Sequence, residues 1–265
     1  MLRALGMAGA ILLVASGCAA APGPKPIAQM EHVHSVAADG GSFYLASHHG
    51  IYKWSDEGWN LVGEEFDAMG LTIDKGVFYA SGHPGPGQDF PNPLGILESR
   101  DNGTTWTPKT FTGEVDFHLL EVSGDAIVGI AANYGVVVGS QDGAVTWSNI
   151  ATPSLTSLSL NPNNGVQFLL TSEGLLYLTE DSGLSLTEIT APSGITRVDW
   201  SENGIILVTD STIYRSPSLR MPFLELSESF TGIKDVAANG GNIIVLDELG
   251  AHVSTDNGKL FSLLP

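Results

Sequence analysis

Two histidines stand two residues apart near the start of this chain, in the segment Met30-Glu31-His32-Val33-His34. If the segment is a β-strand, both imidazoles leave the same face, because side chains alternate with a period of two. Further histidines follow at His48, His83 and His118. Neutral imidazoles that converge with carboxylates are typical ligands of transition metals. The pattern therefore predicts a metal site if the fold brings these side chains together.

Carboxylates and one thioether recur at matching positions along the chain. Alignment of the segments by their apolar residues makes His32, Asp67 and Asp116 equivalent, and it also makes His34, Met69 and His118 equivalent. The two aspartates would be ligands, or partners that fix a histidine tautomer. Zinc suits histidine with carboxylate, whereas Met69 would favour copper. The candidate ligands of zinc or copper are His32, His34, His48, His83, His118, Asp67, Asp116 and Met69.

A repeated motif indicates the elements that position these residues. The stretch 99–106 reads Ser-Arg-Asp-Asn-Gly-Thr-Thr-Trp, and weaker copies stand at 140–147, 179–183 and 254–261, with a faint one at 56–58. In such a turn the aspartate accepts backbone N–H groups, the glycine adopts a positive φ, and the aromatic ring packs between sheets. The motif resembles the Asp-box, or BNR repeat. The residues given this structural role are Asp101, Gly103, Trp106, Asp142, Trp147, Asp181, Gly183, Asp256 and Gly258.

The spacing of the motif predicts an all-β fold, a β-propeller. Copies lie about 40 residues apart with four short strand-like segments between them, which is typical of propeller blades. Six blades of four antiparallel strands fit, and seven is the main alternative. Each blade is expected to be continuous, without a strand swap. The predicted blades are 31–65, 66–114, 115–153, 154–193, 194–232 and 233–265, and the fifth lacks the motif.

A propeller would gather the histidines on one face. Strand 1 of each blade lines the central channel, and the strand 2–3 loops open on the face opposite the strand 3–4 turns. Six of the seven histidines then fall on that face, in the first three blades. We therefore predict a His/Asp-rich pocket at the channel mouth. A polar ligand or catalytic pocket without metal and a purely structural hydrogen-bond network are the alternatives.

The N-terminal segment has the features of an export signal. Arg3 precedes a small-to-apolar stretch that is too short to span a membrane. The segment Val14-Ala15-Ser16-Gly17-Cys18 resembles the lipobox of bacterial lipoproteins, which implies lipidation of Cys18. We predict a signal peptide at 1–17, the lipidated cysteine and a tether at 18–30, and a propeller at 31–265, anchored on the extracytoplasmic face of the cell membrane. An incidental cysteine after an ordinary signal peptide is the alternative.

Several segments around the histidines are similar to a family of exported bacterial Asp-box proteins, commonly labelled glycosylhydrolase-like. They include His48-His49-Gly50, Ser81-Gly82-His83-Pro84, Pro91-Asn92-Pro93-Leu94-Gly95 and Asp116-Phe117-His118. Sialidases need three converging arginines, but after the signal this chain has only Arg100, Arg197, Arg215 and Arg220, and Arg100 lies within a motif copy. Sialidase activity is therefore not expected. Another glycosidase would draw its two carboxylates from Asp67, Asp116 and Asp89.

The net charge of the chain limits the partners that it is expected to bind. The net charge is -18 with only 11 Lys+Arg, so the surface repels phosphate backbones, and nucleic acid is not expected to bind. The sequence favours a lipid-anchored propeller whose pocket binds a transition metal or small polar ligand. A glycoside hydrolase-like enzyme and a protein-interaction scaffold are the alternatives, so the partner beyond the membrane is a small polar ligand, a glycan or a protein.

Overall fold

The computed structural model describes residues 23–265, so the predicted signal peptide and Cys18 lie outside the described residues. The chain forms six four-stranded antiparallel sheets, each built from consecutive strands. The prediction of six blades is confirmed, and every described blade is continuous, without a strand swap. The one helix among the described residues is a short 3-10 turn, Ile27–Gln29, and no described helix is long and apolar enough to cross a membrane.

The strands run from the channel outward in each blade. Blades 1 to 3 contain β1 Val33–Asp39, β2 Ser42–Ser47, β3 Gly50–Ser55, β4 Gly58–Val62, β5 Asp67–Asp74, β6 Val77–His83, β7 Ile96–Ser99, β8 Thr107–Thr110, β9 Phe117–Ser123, β10 Ala126–Ala131, β11 Val136–Ser140 and β12 Ser148–Ile150. Blades 4 to 6 contain β13 Ser157–Leu160, β14 Phe168–Ser172, β15 Leu175–Thr179, β16 Thr187–Ile189, β17 Arg197–Ser201, β18 Gly204–Val208, β19 Ile213–Ser216, β20 Leu224–Glu225, β21 Asp235–Asn239, β22 Asn242–Leu246, β23 Ala251–Ser254 and β24 Ser262–Leu264.

The second strand of each blade carries most of the core. Every residue of β14 and β18 is buried, because each of these strands is covered by a neighbouring blade on both faces. The outermost strands are short and largely exposed, as in β20. Aromatic rings fill the space between blades, for example Tyr44 of blade 1 against Phe78 of blade 2 at 5.1 Å. The stacked blades leave the first strands to line a central channel.

The strand 3–4 turns of four blades share one hydrogen-bond arrangement. In the turn after β7, Asp101 Oδ1 accepts the N–H of Thr105 and the hydroxyl of Ser99, both at 2.8 Å. The turns after β11, β15 and β23 repeat these contacts around Asp142, Asp181 and Asp256. The N–H and hydroxyl of Thr146 lower the pKa of Asp142 to about 2. These turns lie at the end of the channel opposite the strand 2–3 loops.

An N-terminal strap, residues 24–30, covers the seam where blade 6 meets blade 1. Lys25 pairs with Trp59 at the start of β4, with backbone hydrogen bonds of 2.9 and 3.2 Å. Ile27 and Met30 pack against an apolar cluster formed by blades 1 and 6. The strap thus joins the first and last blades through side-chain packing.

Substitution of Ile27 by aspartate is expected to lower the free energy of unfolding by about 1–2 kcal/mol, because it places a charge in an apolar seam. Urea denaturation of the soluble domain measures this change. The control is Ala28→Asp, since Ala28 is exposed on the same turn. Equal stability of the two variants would show that the strap does not hold the seam.

Candidate metal centre

The inner strands of the first three blades are irregular at one equivalent position. The pairing of β1 with β2 shifts between Val33 and Ser35, and that of β5 with β6 shifts between Ala68 and Gly70. In β9 the shift falls at His118. His34, Met69 and His118 are therefore equivalent bulged residues, as the sequence alignment predicts. A bulge re-aims the side chain that it carries, and both His34 and His118 line the cavity at the channel mouth.

Three side chains converge at the seam between blades 1 and 2, and we call them the triad. The triad consists of His34, His48 and Asp67. His34 Nε2 lies 3.3 Å from His48 Nδ1, His48 Nδ1 lies 2.7 Å from Asp67 Oδ1, and His34 Nε2 lies 3.5 Å from Asp67 Oδ1. A circle through these atoms has a radius of about 1.9 Å, shorter than a zinc–nitrogen bond of about 2.0–2.1 Å. One ion just outside their plane can therefore reach all three atoms.

Each member of the triad is placed by a different element. His34 is the bulged residue of β1, His48 lies in the tight loop between β2 and β3, and Asp67 is the first residue of β5. The His48 N–H donates to the carbonyl of His32 at 3.4 Å. Gly82 of β6 lies against Asp67, and a Cβ there would sit 1.8 Å from the Asp67 carbonyl oxygen. The triad thus depends on close backbone contacts within each of the two blades that form the seam.

The electrostatics of the triad favour a neutral His34. Burial lowers the pKa of His34 below its ordinary value of 6.5, and the Asp67 carboxylate only partly opposes this. The neighbouring imidazoles His48, His32 and His118 lower the pKa further. A neutral imidazole keeps a nitrogen lone pair, which metal binding requires. His48 can offer Nδ1 in the tautomer that carries its proton on Nε2.

A second cluster lies at the next seam, between blades 2 and 3. Asp116 Oδ2 is 3.0 Å from His118 Nε2, and Asp116 Oδ1 is 3.6 Å from His83 Nε2. His83 Nδ1 lies 2.7 Å from Asn92 Oδ1, so it carries the proton of that hydrogen bond. Asp116 Oδ1 is buried without a hydrogen-bond partner. The predicted ligands therefore divide into two groups on adjacent seams, and His48 and His83 hold equivalent positions.

The other candidate residues lie outside these two groups. His32 stacks edge-on against His48 with ring centroids 5.0 Å apart, which places it beside the triad. Met69 occupies the bulge of β5, one blade away from His34. Asp89 is exposed in the loop after β6 and has no hydrogen bond or ion pair to either group among the described residues. The seventh histidine, His252, pairs with buried Asp247 at 3.1 Å and lies in blade 6.

Three acidic residues inside the channel were not predicted from the sequence. Asp235 accepts the N–H of Val36 at 2.9 Å, and Asp199 accepts the N–H of Ala238 at 3.1 Å, so each links its blade to the next. Burial, with repulsion from Asp235, raises the pKa of Asp199 to about 7, and burial raises the pKa of Asp235 to about 6. Burial together with both aspartates also raises the pKa of Glu121. Glu121 and Asp199 each stand between apolar neighbours on a first strand, which is the signal that marks them, whereas Asp235 follows Lys234.

Comparison with known proteins gives information on the fold of the chain. No protein-family model matches the chain, and no curated protein sequence matches it. Among solved structures, it resembles the WD40 β-propeller domain of Doa1 with a TM-score of 0.59 and 13% identity, covering 92% of this chain and 86% of that one. A nidogen/laminin complex chain gives a TM-score of 0.61 at 10% identity, covering 84% of this chain and 93% of that one.

A bacterial structure gives the same result. The extracellular domain of the putative one component system BT4673 from B. thetaiotaomicron has a TM-score of 0.55 at 14% identity. The match covers 92% of this chain but 34% of that one, so this chain spans about a third of its length. At these identities the likeness concerns architecture alone. These comparisons show that the chain has a β-propeller fold.

Proposed function

We propose that this protein binds a transition-metal ion at the triad, with zinc favoured over copper. The observation that carries the proposal is the convergence of His34 Nε2, His48 Nδ1 and Asp67 Oδ1 within 3.5 Å of one another. Two imidazoles and a carboxylate form a ligand set that suits zinc. The triad contains no sulfur: Met69 shares β5 with Asp67 but is not a member of the triad, so the soft ligand that would favour copper is missing from it.

The same proposal places the propeller outside the cytoplasm. Its support is the sequence alone: the apolar N-terminal stretch and the lipobox-like segment that ends at Cys18. Lipid on Cys18 would anchor the protein to the membrane, and more than one acyl chain would be needed for stable attachment. The Asp-box resemblance belongs to this proposal too, and the repeated turn contacts of Asp101, Asp142, Asp181 and Asp256 support it.

The hydrolase alternative has less support. Glycoside hydrolysis needs one carboxylic acid and one carboxylate on either side of the scissile bond. Asp67 and Asp116 instead each contact imidazoles, and Asp89 lies exposed in its loop. We therefore assign the aspartates of both clusters to holding histidines and cations. The scaffold alternative would need a defined partner surface.

The test is metal content and affinity of residues 23–265, purified without chelator or nickel resin. We expect about one zinc per chain by mass spectrometry, and about a 100-fold weaker zinc affinity in a His34→Ala/His48→Ala variant, because two of three ligands are lost. His49→Ala is the matched control, since His49 adjoins His48 but lies near Glu31, outside the triad. Absence of zinc binding in the wild type, or equal loss in the control, would overturn the proposal.

A further inference from the structure

Three of the few basic side chains in this acidic protein line the central channel, and two of them lie at its histidine end. The chain has 11 Lys+Arg against 29 Asp+Glu. Arg197 of blade 5 and Lys234 of blade 6 line the same cavity of about 500 Å³ as His34 and His118. A cavity of this size accommodates a small organic molecule. Through His34 the triad therefore adjoins a cavity that also carries positive charge.

Neither of these basic groups is neutralised by a direct ion pair among the described residues. Arg100 and Lys109, by contrast, both pair with Glu98, at 2.7 and 3.1 Å. Arg197 donates to the carbonyl oxygens of Lys234 and Thr196, at 2.9 and 2.8 Å, and these contacts fix its guanidinium. Asp235 is near enough for Arg197 to lower its pKa, although burial raises that pKa more. In a chain with excess carboxylates, this arrangement leaves positive charge available to a ligand.

Backbone contacts place Lys234 beside the triad. The Lys234 N–H donates to Leu246 of the second strand at 2.8 Å, which puts Lys234 at the position of blade 6 that His34 holds in blade 1. The next residue, Asp235, accepts the N–H of Val36 at 2.9 Å, so the inner strands of these two blades adjoin. His34 precedes Val36 by two residues. Lys234 and the triad are thus neighbours around the mouth.

We propose that the ligand of this site is a small organic anion whose carboxylate or phosphate group binds between the triad's metal ion and Lys234 with Arg197. The inference rests on the proposed function, because three protein ligands leave a coordination position open to an oxygen donor. The guanidinium and ammonium groups would pair with the remaining oxygens of that group.

The test uses protein loaded with cobalt(II), whose visible absorption reports the coordination sphere. Inorganic phosphate and acetate are titrated separately, so that the two anion classes are distinguished. We expect at least one of them to change the spectrum, and we expect Lys234→Gln to weaken its binding about tenfold while metal affinity is retained. Lys75→Gln is the matched control, because Lys75 lines the opposite end of the same channel.

The outcomes separate the two proposals. Cobalt that fails to bind the wild type overturns the metal site, and the anion site with it. Cobalt that binds normally while neither anion changes its spectrum overturns the anion site alone. Equal anion affinity in Lys234→Gln and Lys75→Gln also overturns it, because charge at the histidine end of the channel would then be irrelevant.

Discussion

Replacement of Gly82 by alanine is expected to lower the free energy of unfolding by about 3–5 kcal/mol, in the range that only severe core or backbone clashes produce. Gly82 has a φ of +144°, which side-chain-bearing residues rarely adopt. A Cβ there would lie 1.8 Å from the carbonyl oxygen of Asp67 and 3.0 Å from the nitrogen of Met69. Both contacts are to backbone, so β5 must move away from β6. Chemical denaturation measures the change.

The same variant should lose metal affinity, because Asp67 is the residue that moves. Gly87→Ala, in the loop that follows β6, is the control: the φ of Gly87 is +77°, but no atom lies within 4 Å of its new Cβ. The control keeps the conformational strain and removes the clash, and it is expected to cost about 1 kcal/mol. If the two variants were equally stable, the close approach of β6 to Asp67 would not position the triad.

Asp199→Asn is expected to stabilise the protein, and to do so by more at pH 8 than at pH 5. The pKa of Asp199 is raised from 3.8 to about 7, so folding disfavours its ionised form. A raised carboxyl pKa contributes stability that is fully present below the unfolded-state pKa, is lost progressively as the pH rises toward the folded-state pKa, and is gone above it. Asparagine stays neutral and can still accept the N–H of Ala238. Above pH 7 the variant therefore avoids the cost of ionisation.

We expect a gain of about 1–2 kcal/mol at pH 8, which corresponds to a rise of about 2–8 °C in Tm. This gain is well below the free energy that corresponds to the whole pKa shift, because channel water screens the half-buried carboxylate. The measurement is thermal unfolding from pH 5 to pH 8. Asp210→Asn, an exposed control with the same charge change, should show no such pH-dependent gain. A constant difference across this range would contradict the assignment of the raised pKa.

The number of blades could be predicted from the sequence because its signals are local. Four of the strand 3–4 turns are stabilised by hydrogen bonds that span no more than four positions, as those of Asp101 with Ser99 and Thr105 illustrate. The fifth blade lacks such a turn, but the continuous apolar run of β18 still indicates the strand. That the histidines gather on one face could also be predicted, because it follows from the order of the four strands in each blade.

The grouping of the site residues could not be predicted in this way. Whether His34 meets His48 and Asp67, or His118, depends on how adjacent blades pack and on the bulges in β1, β5 and β9. A bulge is defined by pairing between strands, so a single strand's sequence does not reveal it. Asp199 and Asp235 were missed for a related reason, because their partners are N–H groups of the next blade.

The N-terminal strap also sets an orientation. Lys25 pairs with Trp59 near the beginning of β4, at the strand 3–4 turn end of the channel, and the strap then runs toward the start of β1 at the histidine end. Cys18 precedes Lys25 by seven residues, which reach at most about 25 Å when extended. If Cys18 carries lipid, the short reach favours a turn face directed toward the bilayer. The metal-binding mouth would then open away from the lipid surface, toward solutes arriving from outside the cell.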